Sequence, residues 1–358
     1  MDIVERRLVN QGISGAVGRT PAEVVAWHGA VQAQEYAPAR WGLGLRLPDG
    51  VTDLDVARAF DRGEILRTHV MRPTWHFVTP NDIRWMLELT APRVHRRMSI
   101  YNQHLALDAR TLTRGTAMIE RALRDGRQLI RAELGDRLRR SGLTMTGTRL
   151  AHLALFAELE GVICSGPRRA KQFTYALLAE RVPQARRLPR DEALAELCRR
   201  LFRSHGPATV RDFVWWSGLT TLDATRAVEM NRLRREDAGG RTYWSAGTAR
   251  ADRRRDHLVH LLPIYDEYLV AYRDRHAVPH GPGLIAPGAD QPVIFRHAIV
   301  IAGQIAGTWR TSQRSGGVSI EATVLRPLSR LERRALDGAT ERYQRFLAAP
   351  VSLSLGSR

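Results

Sequence analysis

The stretch "QLIRAELGDRLRRSGLT" (Gln128–Thr144) starts polar, carries Glu133 near its first turn, places Leu134 and Leu138 at helical spacing, and closes on Ser-Gly-Leu-Thr. It reads as a capped helix that stops at Gly142 in a tight turn and leads into another helix. "GPATVRDFVWWSGLT" from Gly206 repeats the pattern and turns at Gly218. "RTPAEVVAWHGAVQAQ" from Arg19 repeats the capped, amphipathic part. Three copies of one local signal point to a repeated helical unit.

Each copy is followed, after further helix, by a two-stranded ribbon. The first spans "ILRTHVMRPTWHFVTP", Ile65 to Pro80, where Thr68, Val70, Thr74, Trp75, Phe77 and Val78 favour strands and Arg72-Pro73 breaks them with a turn. The second spans "GVICSGPRRAKQFTYAL", Gly161 to Leu177, turning at Ser165-Gly166-Pro167 with Arg168, Arg169 and Lys171 at its tip. The third is weaker and centres on "RTYWSAG" near Arg241. Helices followed by a ribbon with a charged tip describe a winged helix-turn-helix. The expected fold is therefore mainly α with β-hairpin wings, an α+β chain of tandem winged helix-turn-helix domains.

From about residue 257 the texture changes. "HLVHLLPIYDEYLVAYRDR" begins as a strand, "PHGPGLIAPGADQP" is a loop, "AIVIAGQIAGTWR" is a hairpin turning at Ala302-Gly303, and "VSIEATVLRPL" alternates as another strand. "SRLERRALDGATERYQRFL" is an amphipathic helix with Leu331, Leu336, Tyr343, Phe346 and Leu347 near one face. The expected domains are 1–105, 106–185 and 186–256, each a winged helix, and 257–358, β-rich with a terminal helix.

The 358 residues carry 55 Lys+Arg against 37 Asp+Glu, a net +18, and Lys171 is the only lysine. Arginine is always charged and its planar fork matches phosphate oxygens, so a folded chain this basic points to a polyanion. Cys164 and Cys198 make no disulfide framework, which points to a reducing cytoplasm. The first residues hold no apolar signal core, and no run approaches a membrane span.

Metal binding is not expected. His69 and His76 lie in one ribbon, His257 and His260 near one strand, and His276 and His280 in a loop, none with a cysteine or carboxylate at ligand spacing. No Gly-rich phosphate loop with its Lys-Ser/Thr occurs, so no nucleotide cofactor is expected either. The best DNA contacts are at the second ribbon: Arg168, Arg169 and Lys171 beside Gln172 and Tyr175, able to meet successive phosphates and offer a flat ring to sugar or base. In the first ribbon Arg67, His69, Arg72 and His76 can line one side of a groove, with Arg72 and His69 the stronger candidates for DNA binding.

"AVQAQEYAPARWGLGLRL" (Ala30–Leu47) places Gln32 and Gln34 two residues apart. On a regular helix they would diverge by about 200°. They converge only where a helix ends or on one face of an extended segment. By pattern alone they are two polar residues near a helix terminus.

"VQAQEYAPARWGLGLRL", "LRTHVMRPTWHFVTPNDIRWMLELTAPRV", "GVICSGPRRAKQFTYALLAERVP", "HGPATVRDFVWWSGLT" and "LLPIYDEYLVAYRDR" together resemble the AlkZ/YcaQ family of bacterial DNA glycosylases, from about Val9 to Leu347. The resemblance implies tandem winged helices wrapped into a concave DNA cradle, followed by a small β-barrel-like domain. It also implies a catalytic Gln-x-Gln or Gln-x-Asp element. Here that element is Gln32-Ala33-Gln34, of the AlkZ-like Gln-x-Gln branch, with "SGPRRAKQFTY" matching the family's DNA-contacting hairpin.

Two neutral amides suit only certain chemistry. A normal purine leaves poorly and needs protonation by a general acid. A purine alkylated at N7 already carries positive charge, so a side-chain amide that holds a water beside C1′ and offers a dipole to the sugar cation can suffice. The expected activity is that of a monofunctional glycosylase on N7-alkylated guanine in duplex DNA, bulky genotoxin adducts and interstrand crosslinks included. It would act as a cytoplasmic, nucleoid-associated monomer. The alternative is a non-catalytic winged-helix DNA-binding protein or transcriptional regulator, which would prefer one undamaged sequence.

Overall fold

The computed structural model describes residues 2–247, 259–273, 277 and 295–356. The chain opens with α1 (Ile3–Asn10), α2 (Pro21–His28), β1 (Val31–Gln32), α3 (Tyr36–Gly44), α4 (Asp53–Arg62), β2 (Leu66–His69) and β3 (Trp75–Val78). The long helix α5 (Pro80–His104) leads to α6 (Ala109–Leu123), β4 (Leu129–Ile130), α7 (Arg131–Arg140), α8 (Gly147–Leu159), β5 (Ile163–Ser165), β6 (Thr174–Leu177) and the single turn α9 (Leu178–Arg181). Then come α10 (Arg190–Ser204), α11 (Val210–Ser217), α12 (Thr221–Glu229), β7 (Arg234–Ala238) and β8 (Arg241–Ser245). The remainder is β9 (Val259–Leu262), α13 (Glu267–Val270), β10 (Ala298–Ile301), β11 (Gln304–Arg314), β12 (Gly317–Val324), α14 (Arg330–Leu347) and β13 (Val351–Leu355). The architecture is α+β.

The helical part repeats one connectivity. A first helix is followed by a short strand, two more helices and a ribbon. The short strand pairs with the second strand of the ribbon, giving the orders β1-β3-β2 and β4-β6-β5. In the third unit the short strand is reduced to one bridge, Ala208 to Trp244 of β8. This alignment shifts the phase expected from sequence. The segments from Gln128 and Gly206 contain the short strand and second helix of their units, whereas the one from Arg19 contains the first helix, α2. The true counterpart in the first unit is "VQAQEYAPARWGLG". The two were confusable because both helix types begin with a reciprocal cap: Thr20 with Glu23 on α2, and Thr209 with Asp212 on α11.

Helix α2 also ends earlier than expected. Gly29, at φ +84°, terminates it after His28, and the chain enters β1. Gln32 therefore lies on β1, and Gln34 on the extended segment between it and Glu35, the N-cap of α3.

Burial ties the units together. Phe60 and Phe77 of the first unit pack in one apolar cluster with Leu261, Ile299 and Trp309 of the C-terminal sheet. Another face of the first unit, with Leu66 and Val78, shares a cluster with α5 and with Phe213 and Trp216 of α11. The second unit has its own cluster, including Ile119, Leu134, Leu153 and Ile163.

Among the described residues the C-terminal sheet is open, in the order β13-β12-β11-β10-β9, and does not show the barrel-like closure implied by the family resemblance. The expected hairpin turns where predicted, with Ala302 and Gly303 both at positive φ. Strand β13 was not foreseen; it runs parallel to β12. Helix α14 buries Leu336 and Phe346, but Leu331, expected on the same face, is 69% exposed in its first turn. His257, His276, His280 and the "PHGPGLIAPGADQP" stretch lie outside the described residues.

Candidate active site

Gln32 and Gln34 project from an extended segment that continues past β1. Val31 pairs with Phe77, Gln32 with His76, and Ala33 N–H donates to Trp75 O at 2.7 Å. Alternate side chains of extended backbone share a face. Val31 and Ala33 face the core, at 4% and 0% exposure, so the glutamines share the opposite face. Gln32 is 9% exposed and Gln34 is half-buried.

Both amides are held. Arg72 Nη2 donates to Gln32 Oε1 at 3.0 Å, and Trp75 N–H donates to Gln34 Oε1 at 3.3 Å. The backbone between them is held by Arg67, whose Nε donates to Ala33 O at 2.9 Å and whose Nη2 donates to Gln34 O at 3.2 Å. From behind, Gln32 N–H donates to Glu267 Oε1 at 2.6 Å. Glu267 is buried, and its other oxygen receives Trp216 Nε1 at 3.0 Å and meets His205 Nε2 at 3.3 Å. Burial pushes this carboxyl upward, but His205, the Arg72 cation and the Gln32 N–H outweigh it and hold the pKa at about 2. Glu267 is thus an anion whose two oxygens are both engaged, one by the strand that carries Gln32 and the other by Trp216 and His205.

His76, fully buried beside Arg72, has its pKa lowered to about 3, first by burial and then by that cation. It is neutral at physiological pH. Arg67 is also buried, and burial lowers its pKa to about 10.

A column of alternating cations and rings flanks the strand. Arg67 lies 4.3 Å from the Trp75 ring centroid and 4.6 Å from that of Phe173. Arg168 lies 5.4 Å from Phe173 and 4.9 Å from Tyr36, and Arg40 lies 4.8 Å from Tyr36 on α3. Phe173 and Arg168 belong to the second unit's hairpin, so the column joins that hairpin to the strand bearing the glutamines. Beside it is a cleft of about 540 Å³ lined by Gln34, Tyr36, Arg67, Arg168, Lys171 and Phe173 among others. Lys171 and Phe173 also line a groove of about 710 Å³ that reaches Arg131 and Arg139 of α7.

The expected DNA contacts take different positions. Lys171 and Gln172 are exposed at the hairpin tip. Arg169 is exposed too, but it donates to Glu133 at 2.6 Å and to Gln128 O at 2.8 Å. Arg168 turns inward into the cation–ring column. Tyr175 sits in β6 at 8% exposure, its hydroxyl 3.4 Å from Arg131 Nη2, and it lines the groove of about 710 Å³ together with Lys171 and Gln172. Arg72 is half-buried beside Gln32. His69 is 6% exposed, hydrogen-bonded through Nδ1 to Glu158 and stacked 4.4 Å from Trp75. Among the described residues, no group of three or more His, Cys, Asp or Glu could hold a metal ion, and no helix is long and apolar enough to cross a membrane.

Sequence reasoning missed Glu267, Glu158 and the bridging role of Phe173. One signal was visible: Asp266-Glu267 interrupts the apolar run "LLPIYDEYLV", and acids inside such a run imply buried partners. Asp266 finds one in Arg46, with both oxygens at 2.8 Å from its guanidinium.

The comparisons agree with this architecture. The chain is similar in fold to the Streptomyces sahachiroi DNA glycosylase AlkZ, with a TM-score of 0.78 over 99% of this chain and 98% of that one, at 20% sequence identity. No curated protein sequence matches the chain. The family model for the DNA glycosylase AlkZ-like proteins matches residues 25–346, nearly the whole length. The chain belongs to the AlkZ-like DNA glycosylase family and is a DNA glycosylase.

Proposed function

We propose that this enzyme hydrolyses the N-glycosidic bond of N7-alkylated guanine in duplex DNA, with Gln32 and Gln34 at the reacting centre. The observation that carries the proposal is the face on which they lie. Gln34 lines the cleft and Gln32 lies beside it on the same face, while the buried carboxylate of Glu267 has both oxygens already engaged, by Gln32 N–H and by Trp216 and His205. Glu35 lines the cleft as well, but it is exposed and makes no hydrogen bond to either glutamine among the described residues. The nearby His76 is neutral, with a pKa of about 3, so it is not an imidazolium that could act as a general acid at physiological pH.

Such a site lacks a strong acid to protonate a departing purine, so the base has to arrive activated. Alkylation at N7 provides that activation, and the leaving base departs neutral. The protein then positions water at C1′ and supports the sugar cation with fixed dipoles. The cleft opens to solvent beside Gln34, which suits bulky adducts and crosslinks better than a sealed pocket would. Lys171, the only lysine, reaches the cleft edge from an exposed hairpin tip. Attack by water, with no Schiff base, is therefore the proposed course.

The test is a duplex carrying one N7-alkylguanine, assayed for abasic sites against an undamaged duplex and one with a neutral lesion. Excision confined to the cationic lesion is expected, and joint Gln32→Ala and Gln34→Ala substitution should abolish it. Full activity in that double variant, or borohydride trapping of a covalent adduct, would overturn the reading.

A further inference from the structure

The polarity of the Gln32 amide can be traced outward through four groups. His76 Nδ1 lies 2.9 Å from Thr74 O, which can only accept, so Nδ1 carries the ring proton. His76 is neutral, and its Nε2 is then a bare acceptor. Arg72 Nη2 lies 3.2 Å from that nitrogen and 3.0 Å from Gln32 Oε1. A guanidinium nitrogen only donates, and Nη2 has two protons, one for each contact. The Gln32 atom facing Arg72 therefore has to be the oxygen. Its Nε2 is turned away and has no hydrogen-bond partner among the described residues.

We propose that Arg72 is a positioning residue: with His76 it locks the Gln32 amide so that Nε2 meets the bound nucleotide as a hydrogen-bond donor. The assignment rests on Gln32 being at the reacting centre. It divides the roles of the pair. Gln32 serves an acceptor atom, such as O6 or N3 of the departing guanine or a flanking phosphate oxygen, and Gln34 holds the water. The lock also explains why a buried cation sits next to a site that handles a cationic base. Its two Nη2 protons are spent inside the protein, and Glu267 supplies the nearest compensating charge.

The test is a double-mutant cycle on single-turnover excision of one N7-alkylguanine from duplex DNA. Arg72→Met should slow excision by about 10- to 100-fold. DNA affinity should change by no more than about twofold, with the salt slope unaltered. Arg72→Met combined with Gln32→Ala should be no slower than Gln32→Ala alone, because the arginine acts through the glutamine. Additive losses would overturn the proposal. So would a salt slope smaller by about 1 with the rate restored at saturating protein, since that marks a phosphate contact.

Gln32→Glu provides a check that does not need Arg72 to be altered. Glutamate would still accept from Arg72 but would show the cleft an oxygen, so it should be as slow as Gln32→Ala. Wild-type excision by Gln32→Glu would overturn the donor assignment. If Gln32→Ala itself excises at full rate, the underlying placement of the active site fails as well.

Discussion

Glu267 accepts the backbone N–H of Gln32 across 235 residues of sequence, at 2.6 Å. The bond fixes the strand, and the remaining carboxylate oxygen serves Trp216 and His205. In Glu267→Gln the amide oxygen can satisfy Gln32 or Trp216, but not both. One buried donor would then face an NH₂ group, at a cost of about 1–3 kcal/mol. The expected result is a lower urea midpoint and slower single-turnover excision with nearly unchanged DNA affinity. Unchanged stability and rate would show that the charge behind the strand is idle.

Stability should fall with acid, and the sign follows from three histidines. His76 and His297 have folded pKa values of about 3 and about 4, and His28 is held well below 6.5, each mainly by burial. Once unfolded, all three take up protons below about pH 6.5, while the folded chain resists until its lower pKa. Their contribution is complete above that pH and is lost on descent toward pH 4. Glu267 acts in the same direction further down, from its ordinary value of 4.5 to about 2. Urea unfolding at pH 7 and pH 5 checks this. His76 alone accounts for about 2 kcal/mol of the difference, and His76→Gln should reduce it by that amount.

Lys171 and Arg169 are neighbours at the hairpin tip with different prospects. Arg169 is paired with Glu133, while Lys171 is exposed at the junction of the two grooves. Lys171→Ala should weaken binding to DNA of any sequence and lower the salt slope by about 1. Arg169→Ala should do less, because its charge is already matched. Equal effects would mean that Glu133 yields its partner on binding.

Gly218 closes α11 at φ +71°, and a Cβ there would overlap the carbonyl oxygen of Met71. Gly218→Ala should cost about 2–4 kcal/mol, the strain of the left-handed backbone plus the clash. The displaced residue would be Met71, next to Arg72, so the excision rate should fall along with the melting temperature. A stable variant with normal kinetics would show that the third unit can move without disturbing the site.

Local structure was legible where local chemistry decides it. The ribbon from Ile65 to Pro80 and the turn at Ala302-Gly303 follow from strand formers and residues suited to positive φ. Reciprocal caps were legible too, but they mark only that a helix starts. They could not say which helix of a unit starts there, and the first unit was read one helix out of phase. The burial of Tyr175 was hidden for a related reason: one residue of strand parity decides how much of a ring is covered. Arg72 was read as a DNA contact, and its bond to Gln32 was hidden because it spans 40 residues. Glu267 could be read as a buried acid from its place in an apolar run, but its partner could not, because nothing near residue 32 signals an anion supplied from 235 residues away.

The column of rings and cations has a consequence for the order of biogenesis. Its members come from the first unit and from the hairpin near residue 170, and Glu267 arrives later still. During synthesis the residues proposed to excise the base emerge early, on and just after a two-residue strand. The strand can pair with β3 soon afterwards, but its bond to Glu267 forms only after 235 further residues have been made. A ribosome-bound fragment that ends before the hairpin near residue 170 is therefore expected to display Gln32 and Gln34 without excising bases.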